Sequence, residues 1–594
     1  MAESAKVTVD SESHFITGTI GDGYSCRTSQ LLSIKDATVT PISFTRNDVR
    51  GRMLTGMINS YGVIEKFDYE NLTNGSMYWT TSDYSVGFPY NKLYIDVNMV
   101  SNAYSIYNGK YISSVSYYYN DAVAHRQGLG FCGFRKIRIY DNNRGIQTEQ
   151  TFDPMKFGFI TQVVTPTAES SYNFHMVTLS NKVVRMISSS KVEKDKLKNV
   201  TVNSSCVYDV YSNVTKETSV YSDGLTITTD KSYHNIDNST TYRIGLLYDQ
   251  VTTKTKDGLT WVGRNYIPVF DNNQLPIVTV NYVNGKSASQ VNRSYKDGLV
   301  TQELLTEYGA ATTLKTLYEY DSYGRVIKKT TPLNLVSTYA YNPKGLLYSV
   351  KNHKEQETTF EYDDWGRKVK TVSPDGSVET TSYSWATAPA SALRLTTVSA
   401  TGAPTSRTYY DALGREVRSG KQRFDGNYIY TDNVYDERGR LAKVSVPFKG
   451  ATPAQWNTYT YDSNDRIISL KYASGKEDTF SYSNTNVTSV VDGVSKTEKQ
   501  DASGNIISVT DPAGTTAYNY RPDGQMNSVI APGQITTTFG YDDFGRRITM
   551  NDPSFGLIEY GYDAMGNGVL ETDANGNTCL LYTSDAADDL TRVD

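Results

Sequence analysis

The side chains able to do chemistry are few and far apart. Five histidines, His14, His125, His175, His234 and His353, have no second histidine or cysteine at metal-ligand spacing. Four cysteines, Cys26, Cys132, Cys206 and Cys579, form no Cys-x-x-Cys pair, which argues against zinc and against a disulfide framework in so long a chain. No Gly-x-Ser-x-Gly elbow and no Walker loop is present. Glycoside hydrolysis needs two converging carboxylates, and nothing marks such a pair. The one basic cluster beside glycines, His125-Arg126 with Gly128-Leu-Gly-Phe131, reads as a tight bend into a strand at 135–140. Asp573-Ala-Asn-Gly-Asn577 opens like a calcium loop but lacks the later Glu of an EF-hand. An Asp at the first position of a turn bonds its own backbone and needs no metal. Five tryptophans, Trp79, Trp261, Trp365, Trp385 and Trp456, could stack on sugars or pack within sheet. The expectation is no catalytic residue, no metal and no cofactor.

The bulk composition states what must position these residues. The 594 residues carry 59 Lys and Arg against 64 Asp and Glu, a net charge of -5, without the basic excess of a nucleic-acid binder. No apolar run approaches the ~20 residues of a membrane-spanning helix, and the start lacks an apolar signal-peptide core. There are 48 Tyr and 44 Gly; Tyr, Thr and Val suit a pleated surface, while Gly, Asn and Asp mark turns. A short stretch at 303–313 is the best candidate for a helix.

A repeated turn dominates the second half. It reads Tyr320-Asp321-Ser-Tyr-Gly324-Arg325, Tyr362-Asp363-Asp-Trp-Gly366-Arg367, Tyr410-Asp411-Ala-Leu-Gly414-Arg415, Tyr435-Asp436-Glu-Arg-Gly439-Arg440, Tyr541-Asp542-Asp-Phe-Gly545-Arg546 and Tyr562-Asp563-Ala-Met-Gly566-Asn567. Looser copies begin at Tyr341, Tyr461 and Tyr520. Tyr320, Tyr341 and Tyr362 are 21 apart, as are Tyr520, Tyr541 and Tyr562. Between Tyr362 and Tyr410 the step is 48, which predicts an inserted loop at 385–395. Asp first and Gly fourth are the preferences of a type I turn, and a left-handed Gly completes a bulged hairpin. At Asp465 the Gly is replaced by a residue that tolerates that conformation. A second turn sits midway, as at Ser373-Pro-Asp-Gly376.

Turns about every ten residues leave roughly six per strand, about 20 Å long. Strands joined so closely must be antiparallel neighbours. The pattern predicts an all-β fold: a long antiparallel meander ribbon at 318–577. Alternation, as in Thr358, Phe360 and Tyr362 against Thr359 and Glu361, predicts one buried aromatic face and one wet face. Accumulated twist should coil the ribbon, so that its aromatic face meets its own next turn. Upstream, strand-like runs at 136–140, 161–165, 177–187 and 225–229, with hairpin turns at 141–145 and 223–224, predict further β-sheet. The charged stretch 191–198 reads as an exposed loop.

The Tyr-Asp-x-x-Gly-Arg copies resemble the YD repeats of the Rhs family and of the B and C components of insecticidal toxin complexes. Gln127-Gly-Leu-Gly-Phe-Cys-Gly-Phe134 looks like a segment that precedes the repeats in B-type components. The resemblance implies a β-strip spiralling into a shell that encloses a variable C-terminal effector. In the family a plugging segment carries acidic residues for self-cleavage; none is recognised here, so no such residue is carried over. The expected organisation is a β-rich region at 1–200 resembling the toxin-complex B component, degenerate repeats at 201–317 and the YD ribbon at 318–578. The stretch 579–594 resembles translated sequencing-adapter read-through and is expected to be non-native, so the chain reads as a fragment with its effector missing. The expected role is a non-catalytic shell of a secreted or surface-held bacterial polymorphic toxin, with its own effector as partner. The alternative is a cell-surface carbohydrate-binding or adhesion module.

Overall fold

The computed structural model describes residues 53–58, 62–73, 76–93, 97–178, 184–238, 240, 242–307, 313–563 and 566–580, and as backbone alone the strands His14–Gly18, Gln30–Lys35 and Thr38–Ile42. Among the described residues there is no α-helix, only strands and one 3-10 turn, Pro154–Lys156. Of the candidate helix at 303–313, residues 303–307 lie in strand Leu299–Glu307 and Thr313 opens strand Thr313–Tyr320, which pair with each other instead; 308–312 lie outside the described residues. The chain divides into two compact units, 1–166 and 167–594.

In the first unit, strand Lys110–His125 pairs with Asn98–Tyr107 on one side and Gly130–Asp141 on the other. The short strands Tyr78–Trp79 and Tyr90–Lys92 also join Lys110–His125. Leu72, Met77, Tyr119, Ala122 and Phe134 form the core. The bend read at Gly128–Phe131 is the hairpin into Gly130–Asp141, with Gly128 and Gly130 at positive φ.

In the second unit, each strand from Ala168–Thr178 to Thr578–Leu580 lies antiparallel to the next, thirty-five described strands in one meander. The meander does not close into a barrel. The compact-unit boundary lies at 166/167, and positions 200 and 317 fall inside this uninterrupted ladder. What changes along it is strand length, from 15 residues in Tyr242–Lys256 to 5 in Val326–Thr330. Lys191–Asp195, expected in a loop, lies in strand Val184–Asp195, where Lys191 pairs with Glu193 on the same face at 2.6 Å. The run at 177–187 divides between two strands, Ala168–Thr178 and Val184–Asp195. The inserted loop spans 386–393, between strands Val378–Trp385 and Arg394–Ala400.

Because every link is a hairpin, turns alternate between the two edges of the strip. All the Tyr-Asp turns follow alternate strands, so they share one edge, here called the motif edge. The 21-residue period is thus one hairpin. The aromatic face is half-buried rather than buried: Phe360 and Tyr362 are partly covered while Glu361 between them is exposed. A single layer has only neighbouring side chains to cover it.

Candidate functional site: motif turns and the coil seam

Each motif residue has a distinct partner. In the turn at Asp321, Oδ1 accepts the N–H groups of Tyr323 at 2.9 Å and Arg325 at 3.0 Å, and Oδ2 accepts Arg325 Nε at 2.7 Å. The same three bonds recur at Asp363, Asp411, Asp436, Asp462 and Asp542. The fourth-position glycines have φ between 78° and 83° at Gly324, Gly366, Gly414, Gly439, Gly545 and Gly566, and Asp465 takes φ 64° in their place. The register shifts by one residue beside each tyrosine, as between Glu319 and Tyr320, which is the bulge such a turn requires.

The tyrosine and arginine link one hairpin to the next. The Tyr341 hydroxyl donates to the Val326 carbonyl at 3.0 Å, just past the preceding turn. Tyr362, Tyr435, Tyr461, Tyr482, Tyr520, Tyr541 and Tyr562 repeat this toward Leu347, Glu416, Leu441, Ile467, Ile506, Met526 and Arg547. The guanidinium of Arg325 lies 4.5 Å over the Tyr341 ring, and Arg415, Arg440, Arg466 and Arg546 lie likewise over Tyr435, Tyr461, Tyr482 and Tyr562. Burial pushes up the phenols of Tyr362, Tyr435 and Tyr461, so they remain donors at neutral pH. The carboxyls of Asp436 and Asp462 resist burial and are held below the usual range by the turn N–H groups and by Arg440 and Arg466.

Two features escaped the sequence. The first is a seam where the strip passes itself. Lys256 Nζ lies 3.5 Å from Asp501, the Ala502 N–H donates to Asp223 at 3.2 Å, and Lys198 Nζ donates to Gln500 at 3.2 Å. Further along, Arg546 lies 3.7 Å from Glu307 and Lys286 4.0 Å from Asp543. In every pair one partner sits at the edge opposite the motif turns, and the other in a motif-edge turn 21 to 25 strands later. The strip does coil, but its hairpin tips meet, not its aromatic face as expected, because edges are what successive coils of a ribbon present to each other. Twenty-three strands at about 4.8 Å spacing span about 110 Å, so one coil encloses a ring about 35 Å across.

The second is a buried polar node in the first unit. Asp121 has no exposed surface, takes φ 47°, accepts the Thr81 N–H at 2.9 Å, and lies 3.3 Å from Lys92 and 3.5 Å from Arg135. Both cations also face the Tyr84 ring.

The residues weighed for chemistry stay apart. His125 Nδ1 accepts the Gln127 N–H and its ring packs on Tyr90, while His234 stacks on Tyr248 at 4.2 Å. Cys132, Cys206 and Cys579 are free thiols. Among the described residues no group of three His, Cys, Asp or Glu could hold a metal. Asp573 caps its own turn through the N–H groups of Asn575 and Asn577. Trp365 stands 85% exposed on a motif-turn tip, whereas Arg138 covers Trp79 and Lys254 covers Trp261. Thr578–Leu580 continues the ladder by pairing with Gly568–Thr572; the remainder of the tail lies outside the described residues.

A single-layer meander with capped Asp-x-x-Gly turns on one edge defines a β-shell strip of the YD/Rhs-repeat class. The chain carries YD/Rhs repeats: residues 396–567 match the Teneurin YD-shell family and residues 341–378 the RHS Repeat family. No curated protein sequence matches it. Its fold is similar to the crystal structure of TcdB2-TccC3, with a TM-score of 0.67 at 11% identity over 92% of this chain and 41% of that one. The TcdB2-TccC3 structure without its hypervariable C-terminal region gives 0.67 at 10% identity, over 97% and 44%. The Photorhabdus luminescens Tc holotoxin pore gives 0.64 at 9% identity, over 97% and 43%. The chain spans less than half the length of these structures.

Proposed function

We propose that the protein is the non-catalytic wall of a bacterial polymorphic toxin, a shell that encloses and delivers an effector domain carried on its C-terminal side. The observation that carries this reading is the coil. A ring about 35 Å across, less about 5 Å of side chain on each side, leaves a bore of about 25 Å. A folded 100-residue domain, with a radius of gyration of about 13 Å, is wider than that. The cargo is therefore held incompletely folded, and the wall shields it until release. The motif carboxylates support a wall without catalysis, since each is already engaged by its own turn. Of the Tc structures that share the fold, one is a holotoxin pore and another is TcdB2-TccC3 without its hypervariable C-terminal region, which fits a wall with exchangeable contents. On this reading the protein is exported or held at the bacterial surface, and its partner is its own effector.

Protease protection tests the reading. A passenger enzyme fused to the C-terminal end should resist trypsin and lack activity until the wall is denatured. A passenger that is active and digested at the rate of the free enzyme overturns it.

A further inference from the structure

We propose that the seam between successive coils is an ionic latch, the line along which the wall opens when electrolyte screens its charge pairs. Within a coil, neighbouring strands are joined by ladders of backbone hydrogen bonds, which salt hardly weakens. The seam is built otherwise. Lys256 bridges Asp223 of its own coil at 2.6 Å and Asp501 of the next at 3.5 Å, with only 6% of the Asp501 side chain exposed. Arg546 with Glu307 and Lys286 with Asp543 continue the line, and among the described residues one backbone N–H, that of Ala502, crosses to Asp223. Side chains do not fill the junction, although Val200, Leu259 and Ile507 border it. A cavity of about 720 Å³ opens there, its lining including Lys198, Lys499 and Asp257. Screening length falls from about 10 Å at 0.1 M salt to about 3 Å at 1 M, so electrolyte weakens the exposed pair Lys286–Asp543 first and the shielded Lys256–Asp501 contact less, and spares the ladders.

Mild acid leaves the latch shut. The groups around Lys256 are Asp223, Asp257, Asp501, Lys198, Lys499, Tyr518 and Tyr520, with no histidine among them. Burial opposes the charge of Asp223, but Lys256 and the N–H groups of Ala502 and Leu225 hold its carboxyl below the usual range. Burial likewise opposes Lys256, yet Asp223 and Asp501 raise it above its usual value. The depressed carboxyl contributes stability above about pH 4, lost as pH falls through its lower folded value. The raised amine contributes below about pH 10.4, lost as pH rises through its higher folded value. Between roughly pH 5 and 9 both stay charged.

Hydrogen exchange on the full chain tests this. Raising salt from 0.05 to 1 M should speed exchange at the seam turns together, several-fold at 284–286 and 543–546, where the pair is exposed, and less at 222–225, 256–259 and 500–503. Strand Lys368–Val372, within a coil, should not respond. Ala502→Pro should do the same at low salt. It removes the crossing N–H at a turn position where Pro is favoured, as at Pro512 and Pro522, so its own hairpin is kept. Seam turns indifferent to salt and to Ala502→Pro, or opening as far at pH 5 as in 1 M salt, overturn the latch.

Discussion

Replacing Asp462 by Asn and by Ala separates the two tasks of the motif aspartate. Its Oδ1 accepts the N–H groups of Asn464 and Arg466, both at 2.9 Å, and its Oδ2 holds Arg466 Nε at 2.7 Å. Asn keeps an oxygen for the two N–H groups and loses only the charge. The Asp462–Arg466 pair is 20–29% exposed, where such pairs contribute about 0.5–1 kcal/mol, so Asp462→Asn should cost about 1 kcal/mol. Asn342 already fills this position and caps its turn at 3.0 Å. Ala loses both caps as well, at about 1 kcal/mol each, and frees Arg466 from the Tyr482 ring 4.4 Å away. The total for Asp462→Ala is about 3 kcal/mol, or roughly a hundredfold faster opening. Native-state hydrogen exchange on strands Trp456–Tyr461 and Ile467–Lys471 measures this directly. Because repeat units interact mainly with their neighbours, strands several hairpins away should keep their rates. Equal costs for the two variants, or opening that spreads along the strip, would refute the division of labour.

Five further outcomes follow from contacts already described. Tyr461→Phe removes the donor to the Leu441 carbonyl and should cost about 1 kcal/mol, read as faster exchange in strand Leu441–Ser445. Gly439→Val forces a β-branched residue to φ 78° and should cost about 2 kcal/mol in the same assay. Asp465→Gly should be nearly neutral, since relief of its φ of 64° offsets loss of the ion pair with Arg440. With the Asp436 and Asp462 carboxyls depressed, their contribution is complete above about pH 4 and lost as pH falls through the lower folded values, so a circular-dichroism titration should be flat from pH 5 to 8 and drop below 4. Asp121→Asn leaves Lys92 and Arg135 facing each other across a buried site and should cost the first unit about 3 kcal/mol, lowering one calorimetric transition and leaving that of the second unit in place.

Much of the strip was legible because its rules are local. Asp321 and Gly324 state their turn within four residues, and the strands between such turns have no choice but to pair in sequence. The arginine was not legible, because the ring under Arg325 is Tyr341, which reaches it only once the hairpins have paired. The seam was hidden by distance: Asp223 and Ala502 are 279 residues apart, and no pattern near either names the other. The described strands between 168 and 307 carry no clean period because they are longer, 8 to 15 residues, and interrupted by bulges, as between Ser232 and Tyr233. Asn120-Asp121 looks like a turn pair, yet it sits in strand Lys110–His125 with no exposed surface. Its partners Lys92 and Arg135 come from separate strands, and only the fold brings them together.

Zero-length carbodiimide cross-linking followed by peptide mass spectrometry tests the coil most directly, because it joins only amines and carboxylates in contact. The expected products link Lys286 to Asp543 and Lys256 to Asp501, alongside the within-hairpin control of Lys328 to Glu319. Control links formed without either long-range link would show a strip that never passes itself, and the shell would be contradicted.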